Sequence, residues 1–295
     1  MTGTQFLRPH TLSEVHELMG AHGDDARLLG GGTIIALLLR QRLLACSALI
    51  SLQDVAELAG ISDEEGGLRL GALCTYRDVV RSEAVRGRHP VLAETAAHVA
   101  TPRIRNQGTL GGCLALADPH FDLPVALLAL DAEVALASPG RTRSVPLGEL
   151  AVDYYETSLG PDELVTGVRV PRGAPRSGAA FTKFLVASLD DYAAADIAVR
   201  VDLDDAGAVG DARVVLGSRG PRVVRATGAE EALRGTRPTE RVLRDAAEAA
   251  VGACDPDSDM RGSRDYKLDL VRALVPRVVR QALRRAAGDG AAGAF

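Results

Sequence analysis

The sequence predicts a two-domain α+β protein, and three observations support this prediction. Its 295 residues are enough for about two domains. Apolar residues alternate in some segments and recur every three or four positions in others, so strands and helices occur in one chain. Residues 171–178, PRGAPRSG, concentrate proline, glycine and arginine, and the pattern of elements changes after them. We therefore expect one domain over residues 1–172 and a smaller α+β domain over residues 179–295.

The first half alternates helices and strands around two glycine clusters. Apolar spacing predicts a helix over residues 11–21, with Thr11 or Ser13 as its cap. A strand, the turn Gly30-Gly31-Gly32-Thr33 and a helix over residues 34–39 follow in that order. The remaining elements expected in this half are strands over 48–51, 68–72, 132–137 and 163–170 and helices over 75–82, 90–100 and 122–130.

The second half reads as strands followed by helices. Strands are expected over residues 180–186, 195–203 and 208–216, with a turn over 204–207 between the last two. Helices follow from Thr227 onward. The last segment, residues 265–287, has helical apolar spacing, and we expect Pro276 to bend or divide it.

Composition and charge exclude several classes of function. The chain has 34 Lys and Arg against 39 Asp and Glu, and its net charge of -5 offers no attraction for a nucleic-acid backbone. Its longest apolar runs, residues 34–39 and 125–130, are far shorter than the ~20 residues that a membrane span requires. The first ten residues have no apolar signal segment. We therefore expect a cytoplasmic protein with no nucleic-acid partner and no membrane insertion.

The sequence does not predict a metal site. Its cysteines, Cys46, Cys74, Cys113 and Cys254, lie far apart without a Cys-x-x-Cys pair, which argues against zinc, an iron–sulfur cluster and a disulfide framework. The string from Asp118 to Asp122 includes His120, but no second histidine accompanies it. Any redox cofactor would therefore have to be held in another way.

Two glycine clusters are the strongest candidates for ligand binding. Gly30-Gly31-Gly32-Thr33 lies between a strand and a helix, where backbone amides and the helix dipole favour a phosphate. A tight turn without a ligand is the alternative. The second cluster, residues 108–112, precedes small residues that let a backbone approach a ligand closely. If both clusters present amides, a ligand with two phosphates fits best, although neither matches a Rossmann fingerprint or a P-loop.

Several segments resemble the FAD-binding subunits of the molybdenum hydroxylases. TPRIRNQGTLGGCLALADPHFDLP at 101–124 is similar to the signature of that family, and LLGGGTIIALLLRQRL at 28–43 is similar to its first pyrophosphate loop. The resemblance extends over nearly the whole chain, through FLRPHTLSEV at 6–15, LALDAEVAL at 128–136, VVLGSRGPRVVRATGAEEAL at 214–233 and SRDYKLDLVRALV at 263–275. It implies the medium subunit of a carbon monoxide dehydrogenase-like or xanthine dehydrogenase-like complex.

The resemblance implies FAD as the cofactor and assigns residues to it, but no catalytic residue and no metal ligand. In the family, two loops clasp the FAD pyrophosphate, an aspartate approaches the ribityl chain and a lysine lies near the pyrimidine edge of the flavin. The corresponding residues here are Gly30, Gly31, Gly32, Thr33 and Ile34 in the first loop, Thr109, Gly111, Gly112 and Cys113 in the second, then Asp122 and Lys183. An N-cap is the alternative role for Asp122, and an exposed strand position the alternative for Lys183. Tyr192 is a weaker candidate to pack near the isoalloxazine.

The sequence departs from the family pattern at several of these positions. Gly30 replaces the usual Ala, and Ile34 stands where a polar residue is common. Val186 and Ala187 stand where many members have two arginines. Cys113 replaces Asn or Ser, and because a thiol is a weak donor, this exchange would weaken FAD binding. The alternative is that Cys113 only packs as a small buried residue.

Three functions follow as hypotheses. The first is an electron-transfer subunit, which works with a molybdopterin-binding large subunit and a two-iron two-sulfur small subunit and passes electrons to an external acceptor. The second is a free-standing FAD-dependent oxidoreductase that acts directly on a small molecule. The third is a scaffold subunit that has lost flavin, to which Ile34 in the first loop points.

Overall fold

A computed structural model describes residues 4–288 of the chain. It begins with a small parallel sheet in the order β1-β3-β2, in which Leu28 of β2 pairs with Ile50 of β3. Thr11 begins the first helix, since its side-chain oxygen accepts the amide of Glu14 at 3.2 Å. The elements of this part are β1 (Gln5–Leu7), α1 (Leu12–His22), β2 (Ala26–Leu29), α2 (Thr33–Arg40) and β3 (Ala48–Ser51), with a 3₁₀ turn at Gly23–Asp25.

A five-stranded antiparallel sheet and a group of short helices follow. Two 3₁₀ turns, Ala56–Leu58 and Leu147–Glu149, lie among these elements. The helices are α3 (Tyr76–Arg81), α4 (Glu83–Arg88), α5 (Pro90–Ala97), α6 (Pro102–Arg105), α7 (Leu110–Leu116) and α8 (Asp122–Ala129). The strands are β4 (Ile61–Glu64), β5 (Gly67–Gly71), β6 (Glu133–Ser138), β7 (Arg141–Pro146), β8 (Ala151–Asp153), β9 (Glu156–Thr157) and β10 (Leu164–Pro171). The sheet order is β4-β5-β10-β6-β7, and β8 pairs only with β9.

The last part is a four-stranded antiparallel sheet covered by long helices. Its order is β11-β12-β13-β14. The elements are β11 (Ser177–Phe184), β12 (Ala195–Leu203), β13 (Val209–Gly217), β14 (Val224–Arg225), α9 (Thr227–Leu233), α10 (Glu240–Gly252) and α11 (Arg264–Ala286).

Both faces of this last sheet are buried, which explains the nearly continuous apolar sequence of β12. Ile197 and Val199 pack into a core with α9, α10 and α11. Ala198 and Val215, on the other face, belong to the core of the preceding part, where α8 covers the sheet. Helix α8 therefore links the two cores, and its first residue, Asp122, lies at their junction.

The predicted fold class and most predicted elements are confirmed, with differences at specific places. The strand expected over 180–186 lies at Ser177–Phe184, and the second glycine cluster opens a helix, α7, that the sequence pattern did not predict. Of the two effects expected of Pro276, bending or dividing the last helix, division is wrong, because α11 runs through this residue. Burial of Val275, Val278 and Val279 against the sheet offsets the ~3 kcal/mol that an internal proline costs.

Candidate functional site

The first glycine cluster leads from β2 into α2 with its backbone amides uncovered. Gly32 lies in the left-handed region, at φ 70°, and no side chain caps the helix that begins after it. The first-turn amides of a helix have no partner within the helix, so those of α2 are available to an anion. Although α2 reads TIIALLLR, none of its residues is buried.

The second glycine cluster uses its amides internally, which differs from the expectation that both loops present them. The amide of Leu110 donates to the Cys74 carbonyl at 2.9 Å, and that of Gly111 donates to the Ala72 carbonyl at 2.7 Å. Thr109 caps α7, and its Oγ1 accepts the amide of Gly112 at 3.3 Å. This loop therefore offers a ligand a backbone surface without side chains, and it offers few free amide donors.

The two clusters pack directly against each other. A Cβ on Gly31 would lie 1.7 Å from the carbonyl oxygen of Gln107, and one on Gly30 would lie 2.8 Å from Thr109 Oγ1. Glycine at position 31 is thus required by the approach of the two backbones. Between the loops lies a cavity of about 390 Å³, lined among others by Gly30, Gly31, Gly32, Thr33, Ile34, Thr109, Gly112 and Cys113.

Gly111 lies behind this cavity instead of lining it. Its Cα faces Ala72, where an added Cβ would come within 2.7 Å of the Ala72 Cβ. Gly111 therefore lets α7 approach the chain after β5, and it supports the loop from behind.

Asp122 and Lys183 form a buried ion pair next to the cavity. Lys183 Nζ donates to Asp122 Oδ2 at 2.8 Å and to the carbonyl of His98 at 3.2 Å, and the two side chains are 3% and 4% exposed. Both alternatives from the sequence are wrong: Lys183 is not exposed, and Asp122 is the first residue of α8 with no capping contact. Burial raises the pKa of Asp122 to about 6 although Lys183 opposes this shift. The second oxygen of Asp122, Oδ1, has no hydrogen-bond partner.

Asp196 is a candidate residue that the sequence analysis missed. It pairs with Lys183 across β11 and β12, is fully buried, and neither carboxylate oxygen has a hydrogen-bond partner. Burial, together with the charge of Asp122, raises its pKa to about 7. The guanidinium of Arg219 is buried nearby with Nη1 and Nη2 unpartnered. A single aspartate in the apolar strand ADIAVRV was the signal that could have identified this cluster.

Tyr192 belongs to a polar group beyond the Asp122–Lys183 pair. Its hydroxyl donates to Asp118 Oδ2 at 3.3 Å, and the ring lies 6.3 Å from that of Phe121, which lines the cavity. The other oxygen of Asp118 accepts the His120 backbone amide at 3.0 Å. Arg261 lies over the Tyr192 ring, 5.3 Å from its centroid. The aromatic ring of Tyr192 is thus fixed near the cavity.

Cys113 lines the cavity but is almost entirely buried in α7. Burial raises the pKa of its thiol to about 12, although the hydroxyl of Tyr76 acts in the opposite direction. The thiol is therefore protonated at neutral pH. Both expectations for this residue, a cavity-facing position and a buried packing role, describe part of what the structure shows.

These features fit a dinucleotide cofactor such as FAD. The cavity has uncovered amides at one end, and Phe121, which lines it, is followed by Asp122, whose buried Oδ1 lacks a donor. An anionic pyrophosphate suits the first feature, and a sugar-type hydroxyl suits the second. Residues 4–288 contain no group of three or more His, Cys, Asp or Glu that could hold a metal ion. Within the same residues, no helix is both long enough and apolar enough to cross a bilayer.

Two family models match consecutive parts of the chain. The model described as the FAD binding domain in molybdopterin dehydrogenase matches residues 2–173. The model described as the CO dehydrogenase flavoprotein C-terminal domain matches residues 179–282.

The alignments with relatives and with solved structures cover at least 90% of both chains. The chain is 37% identical to the 6-hydroxypseudooxynicotine dehydrogenase complex subunit alpha of Paenarthrobacter nicotinovorans, over 91% of this chain and 90% of that protein. It is 33% identical to the carbon monoxide dehydrogenase medium chain of Hydrogenophaga pseudoflava, over 96% of this chain and 98% of that one.

Among solved structures, a chain of carbon monoxide dehydrogenase from Hydrogenophaga pseudoflava superposes with a TM-score of 0.92 at 34% identity, covering 96% of this chain and 98% of that one. A chain of quinoline 2-oxidoreductase from Pseudomonas putida 86 superposes with a TM-score of 0.90 at 33% identity and the same coverage. The chain therefore belongs to the FAD-binding subunits of the molybdenum hydroxylase family, of the carbon monoxide dehydrogenase medium-chain type.

Proposed function

We propose that this chain is the FAD-bearing electron-transfer subunit of a cytoplasmic, multi-subunit molybdenum hydroxylase. Its partners are a molybdopterin-binding large subunit and a two-iron two-sulfur small subunit. Electrons from substrate oxidation at molybdenum reach the flavin through the iron–sulfur subunit and leave to an external acceptor. The observation that carries this proposal is the match of both family models, one after the other, to a chain with two interlocked glycine loops.

The two alternatives from the sequence lose support. The relatives that cover this chain almost completely are named as subunits or chains of dehydrogenase complexes, which argues against a free-standing oxidoreductase. Membership of an FAD-binding family argues against a scaffold without flavin. Ile34 still lines the cavity, so an apolar residue at this position is compatible with the site.

In the proposed site, the two loops have different tasks. The amides of the first turn of α2, at Thr33 and Ile34, bind the pyrophosphate, and the positive end of the α2 dipole adds to their attraction. Thr109, Gly112 and Cys113 form the opposite wall. Gly30, Gly31 and Gly111 permit the close packing that brings these walls together.

Asp122 and Lys183 serve the other end of the cofactor. Asp122 Oδ1 accepts a hydroxyl of the ribityl chain, which supplies the donor that this buried oxygen lacks. Lys183 has two of its three donor positions satisfied by Asp122 and His98, and the third would be available to the pyrimidine edge of the flavin. Bound FAD supplies the redox chemistry, and the charge of Lys183 stabilises negative charge that develops on that edge.

We also propose that the chain divides into an FAD-binding domain over residues 1–172 and a C-terminal domain over residues 179–295. Support comes from the family-model limits at residues 173 and 179 and from the two separate hydrophobic cores. Residues between β10 and β11 connect them.

Purification from the native host tests the proposal. A tagged chain is expected to co-purify with two further subunits that carry molybdopterin and a two-iron two-sulfur cluster. Acid release followed by chromatography should give FAD and no FMN, because the cavity has room and partners for both halves of a dinucleotide. Recovery of a single-subunit flavoprotein that turns over an organic substrate without other redox centres would contradict the subunit assignment.

A further inference from the structure

A second cavity, larger than the one between the glycine loops, lies away from the flavin site. Its volume is about 800 Å³, and none of its lining residues lines the 390 Å³ cavity between the glycine loops. Three walls enclose it: the junction of α4 and α5 at His89, the connection between β10 and β11, and the last turn of α11. We call this cavity the junction cleft, because the FAD-binding and C-terminal parts both line it.

The junction cleft is lined by five arginines and one glutamate, Arg88, Arg172, Arg200, Arg284, Arg285 and Glu94. The glutamate neutralises one of them, because Glu94 accepts two hydrogen bonds from the Arg285 guanidinium, each at 2.9 Å.

Several of these arginines retain charge that no carboxylate fully neutralises. Arg88 and Arg172 share Asp63, at 2.7 and 4.0 Å. Among residues 4–288, Arg284 has no carboxylate within salt-bridge distance. Arg200 is the exception among the cleft arginines other than Arg285, because it lies 2.9 Å from Asp131, 3.2 Å from Asp211 and 3.4 Å from Asp202. The cleft therefore carries a net positive charge.

The buried side chain of His89 also lines the cleft. Burial is the main cause that lowers the pKa of His89, a hydrogen bond with the Pro171 backbone opposes this shift, and the charges of Arg200 and Arg88 add to it. His89 also precedes α5 without capping it, so the positive end of that helix dipole faces the cleft at Pro90 and Val91. Two independent features thus make the cleft attractive to an anion.

We propose that the junction cleft binds a small phosphate-bearing anion. Guanidinium groups that approach from α4, the β10–β11 connection and α11 suit the several oxygens of phosphate groups, because each planar fork can bind two of them. A single carboxylate would satisfy only one such fork. The volume accommodates a molecule of nucleotide size, but no aromatic residue lines the cleft, so recognition rests on the phosphates and not on base stacking.

Calorimetric titration of the FAD-loaded full chain with inorganic pyrophosphate tests this site. FAD is kept saturating so that pyrophosphate cannot enter the flavin site, and sodium chloride holds the ionic strength constant. Arg172→Ala and Arg284→Ala should each raise the Kd about tenfold, and inorganic phosphate should bind more weakly than pyrophosphate. The matched control is Arg244→Ala, an exposed arginine on α10 outside the cleft, which should leave the Kd within about twofold.

NMR of His89 gives a second readout that does not depend on activity. Pyrophosphate should raise the pKa of His89, since its negative charge offsets that of Arg88 and Arg200. The rise should disappear in the double variant of Arg172 and Arg284, whose urea midpoint and flavin content should match the wild type because both side chains are exposed.

Two results would each overturn the proposal. One is the absence of saturable binding up to about 10 mM pyrophosphate. The other is an equal loss of affinity in Arg244→Ala and Arg284→Ala. These outcomes leave the flavin assignment untouched, because FAD content is measured separately.

Discussion

Asp122, Lys183 and Asp196 bring two carboxyl groups and one ammonium group into a dry site at the junction of α8, β11 and β12. Lys183 pairs with Asp122 Oδ2 at 2.8 Å, whereas Asp122 Oδ1 and both carboxylate oxygens of Asp196 have no hydrogen-bond partner. Burial disfavours a second ionised carboxylate so strongly that the pKa of Asp196 rises to about 7. The protonation of Asp196 is therefore linked to the free energy of unfolding.

Asp196→Asn is expected to reduce the pH dependence of stability. The pKa of Asp196 is raised in the folded state, so between about pH 4 and pH 7 the folded chain holds a proton that the unfolded chain has lost. The free energy of unfolding therefore falls as pH rises through this window. From pH 5 to pH 8 the wild type should lose about 2–3 kcal/mol more than Asp196→Asn.

Urea unfolding at pH 5 and pH 8 measures this difference. The control is Asp245→Asn, which changes an exposed aspartate on α10 and should keep the wild-type pH dependence. Equal losses in wild type and Asp196→Asn would show that Asp196 is ionised throughout.

Cys113→Asn is expected to tighten FAD binding about 10-fold to 100-fold. The protonated thiol lines the cavity as a weak donor, whereas an amide donates a full hydrogen bond to a phosphate oxygen, worth about 1.5–3 kcal/mol. Titration of apoprotein with FAD gives the dissociation constants. Cys113→Ala should bind within about twofold of the wild type, and the same result for Cys113→Asn would show that this side chain only packs.

At the scale of elements, the flavin site depends on how two short loops interlock. Gly30 and Gly31 contact Thr109 and Gln107, so the entry to α2 and the entry to α7 fix each other's position. Of these two helices, α2 begins without a side-chain cap, whereas Thr109 caps α7. The loops therefore act as one rigid unit in which one binds and the other supports.

Gly31→Ala should separate the two loops and weaken FAD binding at least about 100-fold. The added methyl would lie 1.7 Å from the Gln107 carbonyl oxygen, and backbone at such a contact must move. We expect a loss of about 1–3 kcal/mol in the free energy of unfolding, as in other overpacked sites. Flavin content and urea midpoints measure both effects.

Gly252→Ala provides the matched control for this change. Gly252 ends α10, and a Cβ there meets nothing within 4 Å, so the variant should keep its FAD and unfold at an equal or slightly higher urea concentration. A Gly31→Ala protein that retains wild-type FAD affinity would show that the contact between the loops is not needed.

At the scale of the whole molecule, a few polar contacts join the FAD-binding part to the C-terminal part. Arg285 of α11 binds Glu94 of α5 through two hydrogen bonds at 2.9 Å and also donates to the Ala179 carbonyl at 2.8 Å. Lys183 makes a similar connection to Asp122 and His98. These contacts lie on either side of α5, which therefore helps to hold the two cores in one arrangement.

Glu94→Gln should lower the free energy of unfolding by about 1–3 kcal/mol, because it leaves a largely buried Arg285 without its charged partner. The matched control is Glu240→Gln, which alters a pair in which Arg280 Nη2 donates to both carboxylate oxygens and the glutamate side chain is 72% exposed. Such an exposed pair contributes at most about 1 kcal/mol. Urea unfolding followed by circular dichroism should separate the two variants, and equal effects would contradict a special role for the pair between the two parts.

The sequence by itself determined the fold class, the family, the cofactor and most elements. These follow from local signals: apolar periodicity gives helices and strands, and the motifs around Gly31 and Gly111 identify the family. For the same reason the cap of α1 could be narrowed to Thr11 or Ser13, of which Thr11 is the cap, since a cap is decided by residues two or three positions away.

Only the tertiary structure decided which of these residues contact each other and which of them are buried. Lys183 and Asp122 lie 61 positions apart, and Gly31 meets Gln107 across a similar gap, so no local pattern reports these contacts. Whether the amides of the second loop are free depended on carbonyls of Ala72 and Cys74 that arrive from another strand end. The burial of Asp196 and the grouping of arginines in the junction cleft likewise arise only when distant elements pack together.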